Sequence, residues 1–453
     1  MTIERRPRSE IATNRGYALG FALFLLLNAV LFLRPTELIP ALDGVQIFEV
    51  VILSCFAVSF PAVFSKLRWR QLVAEPITVC VLGLLIAVAF SHLAHLRLRD
   101  AFTGTFSFFK IVVYYLLFVS LVNTPRRLKW FMLWLLACLA AVTVLVLLQH
   151  YAVIEVSALA EHFERVVDEQ TGDTVLISRI QAAGIFGNPN DLARMLAIGI
   201  ALALYLFALG RPLLLAPLAT ALIGLFGYTL TLTQSRGGFL ALAITIFALL
   251  SSMIRVRTAL LLGLLAIPLM FLLFSGRQTD LAVDEGTGQQ RIQLWSEGLT
   301  ALKESPLFGI GKDEYFEIGG GLGAHNSFVH SFVELGLFGG ILFVAAWYLA
   351  MRDTFRIGAV DGQLPDQTLR RARPFVFAIG AGYAVGMLSS SRNYVMPTYT
   401  LLALACVQQR MAGFYAPRLA ARLNGRLIVQ MVAMSIAFLA ATYLFVRMTA
   451  RYQ

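Results

Sequence analysis

A histidine and several arginines stand in short polar stretches of an otherwise strongly apolar chain. In IGGGLGAHNSFVHSFVELGLFGG, residues 318–340, a glycine run delivers His325 and Asn326 to the mouth of an apolar segment. Histidine can accept a proton near neutral pH, which few side chains do. Arg291 opens QQRIQLWSEGLTALKE, residues 289–304, and Arg236 lies in TLTLTQSRGGFLAL, residues 229–242, beside Gly237 and Gly238. Guanidinium groups bond anionic oxygens in pairs and stabilise charge as it develops. In GIFGNPNDLAR, residues 184–194, Asn188, Asn190 and Asp191 mark the start of another apolar segment. Asn190 or Asp191 can cap a helix there, and a polar helix N-terminus can help to seat a sugar or phosphate. An imidazole that takes a hydroxyl proton, with guanidinium groups on a diphosphate leaving group, suits sugar transfer from a lipid diphosphate.

Each residue also has a plainer role. A histidine at a helix mouth commonly makes a structural hydrogen bond. Arg236 can snorkel, and the Asn-Pro pair can simply turn the chain into a capped helix. Arg291 can be a solvated charge, although a cation at a helix start opposes the dipole, which an anionic partner would relieve. Arg179 and Arg392, with Arg97 and Arg99, are further candidates that could equally hold lipid headgroups. Lys110 falls well inside an apolar segment, so it should be paired or line a cavity, with Glu49 and Glu334 as possible partners. His330 lies roughly 140° around the helix from His325, so the two make no metal pair. The chain has no HExxH, CxxC, DxD, GxSxG or Walker spacing where it would matter, so neither a metal nor a cofactor is expected.

The elements that position these residues follow from composition. The chain has 453 residues, is 58% hydrophobic and has a mean hydropathy of +0.75. Its apolar stretches are continuous and of spanning length, which excludes a barrel. We expect an all-α fold, a polytopic transmembrane bundle of about 12–13 helices, near 16–33, 45–64, 76–91, 101–121, 128–150, 190–208, 212–231, 237–254, 258–274, 326–350, 374–391, 395–409 and 427–446. With the N-terminus inside, most Lys and Arg fall in inner segments, including Arg5, Arg6, Arg8, Arg15, Lys66, Arg68 and Arg70. The net charge of +11 is thus a topology signal, and nucleic acid is not expected as a partner. Two outer segments are long, 151–189 and 275–325, and the second contains an amphipathic helix at 289–304 whose Ile292, Trp295, Leu299 and Leu302 recur at helical spacing. The whole chain, 1–453, reads as one membrane domain. Cys55, Cys80, Cys138 and Cys406 all sit in apolar stretches and read as buried hydrophobes.

The stretches GIFGNPNDLA, TLTQSRGG, RIQLWSEGLTALKESPLFGIG and HNSFVHSFVELGLFGG occur in one order over residues 180–350, and there the chain resembles the O-antigen ligase and O-antigen (exopolysaccharide) polymerase superfamily. The resemblance implies a membrane-embedded glycosyltransferase of the third structural class (GT-C) in the bacterial cytoplasmic (inner) membrane, acting on the periplasmic side. It implies an undecaprenyl-diphosphate-linked glycan donor, no metal or nucleotide, and a glycan or lipid A-core acceptor. It carries a catalytic role onto His325 as base and onto Arg236 and Arg291 as diphosphate holders. Asn188, Asn190, Asp191, Arg179, Asn326, Arg392 and Lys110 remain substrate-binding candidates. Membrane lipids, and glycan-export or chain-length-control proteins, are the other expected partners. The motifs do not separate polymerase from ligase. A lipid-linked-sugar transporter or flippase would instead show repeats, broken helices and midplane charges; a scaffold would give outer arginines no reason to gather with a histidine.

Overall fold

The computed structural model describes residues 15–167, 174–210, 212–254, 257–262, 287–358, 362, 364–417 and 421–450. Eleven described helices are long and apolar enough to cross a membrane. In hydrocarbon every backbone polar group needs an internal partner, so continuous apolar runs become helices. The chain is a multi-pass membrane protein built as a helical bundle.

The first five helices are α1 (Arg15–Leu33), α2 (Ile47–Lys66), α3 (Pro76–Leu93), α4 (Leu98–Leu121) and α5 (Pro125–His150). A two-stranded antiparallel hairpin follows, β1 (His162–Val167) with β2 (Thr174–Arg179), pairing Phe163 with Ser178. This hairpin departs from the purely helical expectation. Its strands, HFERVV and TVLISR, are rich in Val, Ile, Phe and Thr, residues that favour extended strands. The chain then forms α6 (Pro189–Ala208), α7 (Pro212–Leu232), α8 (Arg236–Met253) and α9 (Thr287–Glu304). It ends with α10 (Ser327–Ile357), α11 (Gln367–Gly386), α12 (Met396–Tyr415) and α13 (Gly425–Thr449). The expected span 258–274 lies outside the described residues beyond position 262, as do 275–286 and Arg5, Arg6 and Arg8. The helix expected at 395–409 forms as α12 but is not among the eleven apolar spans, because it contains the polar run Gln408, Gln409 and Arg410.

α6 sits at the centre, enclosed by α7, α8, α11 and α5, while α10 packs on α3 and α13. α9 is the expected amphipathic helix, burying Ile292, Leu294, Leu299 and Leu302. Away from His325, the buried Glu75 carboxylate takes Lys66 at 3.0 Å and Arg410 at 3.2 Å, tying the far ends of α2, α3 and α12 together.

α10 is broken where one helix was expected. Gly336 has φ 65 and ψ −167. The freed backbone is bridged by the Pro306–Gly311 segment through four hydrogen bonds. Ile310 N donates to Val333 O (3.1 Å), Gly311 N to Glu334 O (3.1 Å), Leu337 N to Pro306 O (2.8 Å) and Phe338 N to Leu307 O (3.1 Å). Only glycine adopts this φ and ψ routinely, and a Cβ would overlap the Leu307 carbonyl. Gly336→Ala should therefore cost on the order of 1–3 kcal/mol from backbone strain alone. A lower thermal midpoint of the detergent-held protein is the expected result, and an unchanged midpoint would show that the break is not fixed by this residue.

Candidate active site

His325 lies between two anchors. On one side, the Trp295 indole N–H donates to Ala324 O at 2.6 Å, tying the loop to α9. On the other, Asn326 caps α10, its Oδ1 accepting from Phe328 N (3.1 Å) and Val329 N (3.2 Å). His325 itself has φ 48. A non-glycine residue in the left-handed region is uncommon, and such positions concentrate at functional sites. Its pKa is lowered below the ordinary histidine value. Desolvation is the main cause; the positive charges of Arg291 and Arg392, and then His330, add to it. Protonation is thus disfavoured, and the imidazole stays neutral, able to accept a proton, through neutral pH.

Arg291 rides in the first turns of α9, which Trp295 fixes against the His325 loop. Arg392 arrives on the loop after α11. Its backbone N–H donates to Ser327 Oγ (2.7 Å), whose hydroxyl donates to Ser390 O (2.6 Å), so that loop is laced to the first residue of α10. Its Nε donates to Asp191 Oδ1 at 2.7 Å, and a second guanidinium nitrogen pairs with Oδ2. Asp191, 6% exposed, also takes Arg194 one turn on; Arg194 donates in turn to Gly386 O (3.0 Å) and to Ser390 Oγ. One buried carboxylate therefore holds two arginines and joins α6 to the end of α11.

Arg236 is the first residue of α8, following the N-cap Ser235. The next residue, Gly237, lets α8 approach the same loop, since a Cβ there would lie 2.6 Å from Ser389 Oγ. Asn188, rather than Asn190 or Asp191, caps α6, accepting from Asn190 N at 2.8 Å, because Pro189 takes the first helical position. Asn190 Oδ1 instead receives Arg179 Nη2 (3.0 Å) and Ser235 Oγ (2.7 Å). Arg179 also donates to Glu164 (2.7 Å) and Thr233 O (2.9 Å), so it clamps the hairpin to the starts of α6 and α8. Lys110 pairs with Glu49 on α2 at 3.2 Å, both about a third exposed, and no described contact joins it to His325. Glu334, its other suggested partner, is fully buried and bonds His330 Nε2 (2.9 Å) and Tyr315 N (3.2 Å). His330 Nδ1 meets Ser391 Oγ at 3.0 Å, and its ring stacks on Tyr315.

Arg194 and the Ser389–Ser391 run were not singled out from sequence as parts of this site. A signal existed for Arg194: a cation within a span needs a partner, and Asp191 stands three residues before it. Among the described residues no three His, Cys, Asp or Glu side chains gather as a metal site.

Residues 219–344 match the family model described as O-antigen ligase. The resemblance read from the motifs is borne out there; the matched stretch holds Arg236, Arg291 and His325, and it begins after GIFGNPNDLAR. An O-antigen ligase domain is that of a glycosyltransferase-like enzyme. No curated protein matches the chain.

Two outcomes follow from the charges. Arg291→Gln removes positive charge beside His325, so the imidazole should titrate at higher pH than in the wild type; histidine NMR in nanodiscs would read this, and an unchanged or lower titration would separate the two residues. Asp191→Asn leaves the buried Arg194 without its carboxylate, a change that costs about 3–5 kcal/mol when a buried pair is broken. A thermal midpoint within error of the wild type would show that Asp191 does not brace the site.

Proposed function

We propose that this O-antigen ligase-type protein transfers a glycan from undecaprenyl diphosphate to a hydroxyl acceptor, with His325 as general base. The observation that carries the reading is His325 itself, held in left-handed backbone, with its proton affinity lowered by burial and by the charges of Arg291 and Arg392. The acceptor hydroxyl attacks the anomeric carbon of the donor sugar, and His325 Nδ1 or Nε2 takes its proton. The bond from that carbon to the diphosphate oxygen breaks, and its electron pair leaves with undecaprenyl diphosphate. Arg291, Arg236 and Arg392 meet the charge that grows on that oxygen, as preorganised donors do. A single displacement of this kind inverts the anomeric configuration.

On this reading the His325 end faces the periplasm and the N-terminus the cytoplasm, in a bacterial inner membrane, because most Lys and Arg lie toward the other end. A polymerase would hand the growing glycan to a new repeat unit; a ligase would hand it to lipid A-core. A transporter gains one feature from the structure, the broken helix at Gly336. Four backbone hydrogen bonds from the Pro306–Gly311 segment already occupy Val333 O, Glu334 O, Leu337 N and Phe338 N at that break.

The test is transfer by purified protein from the lipid-diphosphate-linked glycan without added metal. His325→Ala should lower turnover by at least about 100-fold, and Arg291→Ala by about 100- to 1000-fold. If both variants, folded, kept full turnover, the mechanism would be wrong. A product ladder would mark a polymerase, and retained anomeric configuration would exclude the single displacement.

A further inference from the structure

A polar cavity opens between the C-terminus of α3, the N-terminal half of α4 and the 311–317 loop. Its volume is about 360 Å³, and His92, Asp100, Thr103, Lys312, Asp313 and Glu317 line it. His92 is 2% exposed, yet its Nδ1 has no hydrogen-bond partner among the described residues. A buried polar nitrogen left open costs free energy unless something else satisfies it. Gly311, which has φ 116, lets the 311–317 loop pack against this edge of the ring; a Cβ there would lie 3.0 Å from Nδ1. On the ring's other edge, Gly104 lets α4 close to the imidazole, with a Cβ position 3.2 Å from Nε2.

The charge of this cavity is opposite to that of the His325 site. Lys312 pairs with Asp313, and Glu314 is matched by Arg97 at 2.7 Å. Asp100 and Glu317 make the cavity net acidic, so it repels a diphosphate. Carboxylates, a histidine nitrogen and the Thr103 and Ser107 hydroxyls suit a ligand rich in hydroxyl donors. A chain of ring contacts leads from the cavity to His330, on the first turn of α10 after His325. Lys312 Nζ lies 5.1 Å from the Tyr394 ring, and Tyr394 stands edge-on to His330 at 6.2 Å. Phe316, 46% exposed, adjoins Glu317 and stands edge-on to His330 at 6.3 Å, an aromatic face for a sugar ring between the two regions.

We propose that this cavity is a saccharide subsite that holds the hydroxyl-rich acceptor glycan, kept apart by charge from the anionic donor. The proposal rests on the transferase reading above and names the part of the substrate that this cavity takes. The probe is the oligosaccharide released by mild acid from the lipid-diphosphate donor, followed by saturation-transfer NMR on protein in nanodiscs. The wild type should bind it. Asp100→Asn with Glu317→Gln, both exposed positions, should weaken binding about tenfold or more, while the KM for donor stays within about twofold. His92→Phe, which keeps a ring but removes both nitrogens, should weaken binding in the same way. No saturation transfer to the wild type, or undiminished binding by the carboxylate variant, would overturn the subsite. Failure of the transferase reading would show separately, as a wild type that makes no product from donor.

Discussion

The break in α10 is the constraint on which the rest depends. Inside a membrane an unwound turn exposes backbone N–H and C=O groups that each cost several kcal/mol if left open. Pro306–Gly311 supplies those partners, and in doing so it fixes where the loop after α9 runs. Gly309 must be glycine for the same reason as Gly336, since a Cβ there would meet the Glu334 backbone. With the segment pinned, Tyr315 reaches the Glu334 carboxylate through its N–H and stacks on His330. α9 is held from both directions, by this segment at its end and by Trp295 at Ala324. The placement of Arg291 beside His325 follows from those two attachments.

The second brace is Asp191. It lies on the central helix α6, before the matched domain, and binds Arg392, which comes after it. The domain at 219–344 therefore does not hold the site alone. The stretch GIFGNPNDLAR contributes by gripping the arginine loop, and Arg179 and Asn190 grip the start of α8, where Arg236 stands. These side chains act on the site through what they hold in place, which is why polar residues so near it spend their hydrogen bonds on one another.

The sequence made much of this legible, and physics explains the remainder. Long apolar runs report helices directly, and the spacing of Ile292, Leu299 and Leu302 reported the buried face of α9. His325, Arg236 and Arg291 stood out because charge at the edge of an apolar run is costly and so informative. The break was not legible. Gly336 in VELGLFGG reads as tolerated within a helix, and only the pairing with the Pro306–Gly311 segment reveals its φ. Nor could sequence give Lys110 to Glu49, or Glu334 to His330, since both carboxylates had the right charge and depth for either partner. The hairpin was hidden because its strands are short and lie in a segment read only as a polar loop.

His325 gains its meaning from the combination of these constraints. A left-handed backbone is tolerable there because Ala324 and Asn326 are fixed on either side. Removal from water and two arginines keep its ring neutral. On the proposed chemistry the same arginines serve both ends of the reaction, since the positive charge that binds a diphosphate also keeps the base unprotonated. Once an anionic donor is seated, it offsets that positive charge and makes the imidazole a stronger base. The proton affinity of His325 would then rise only when a donor is present to react, which couples activation of the hydroxyl to occupancy of the site.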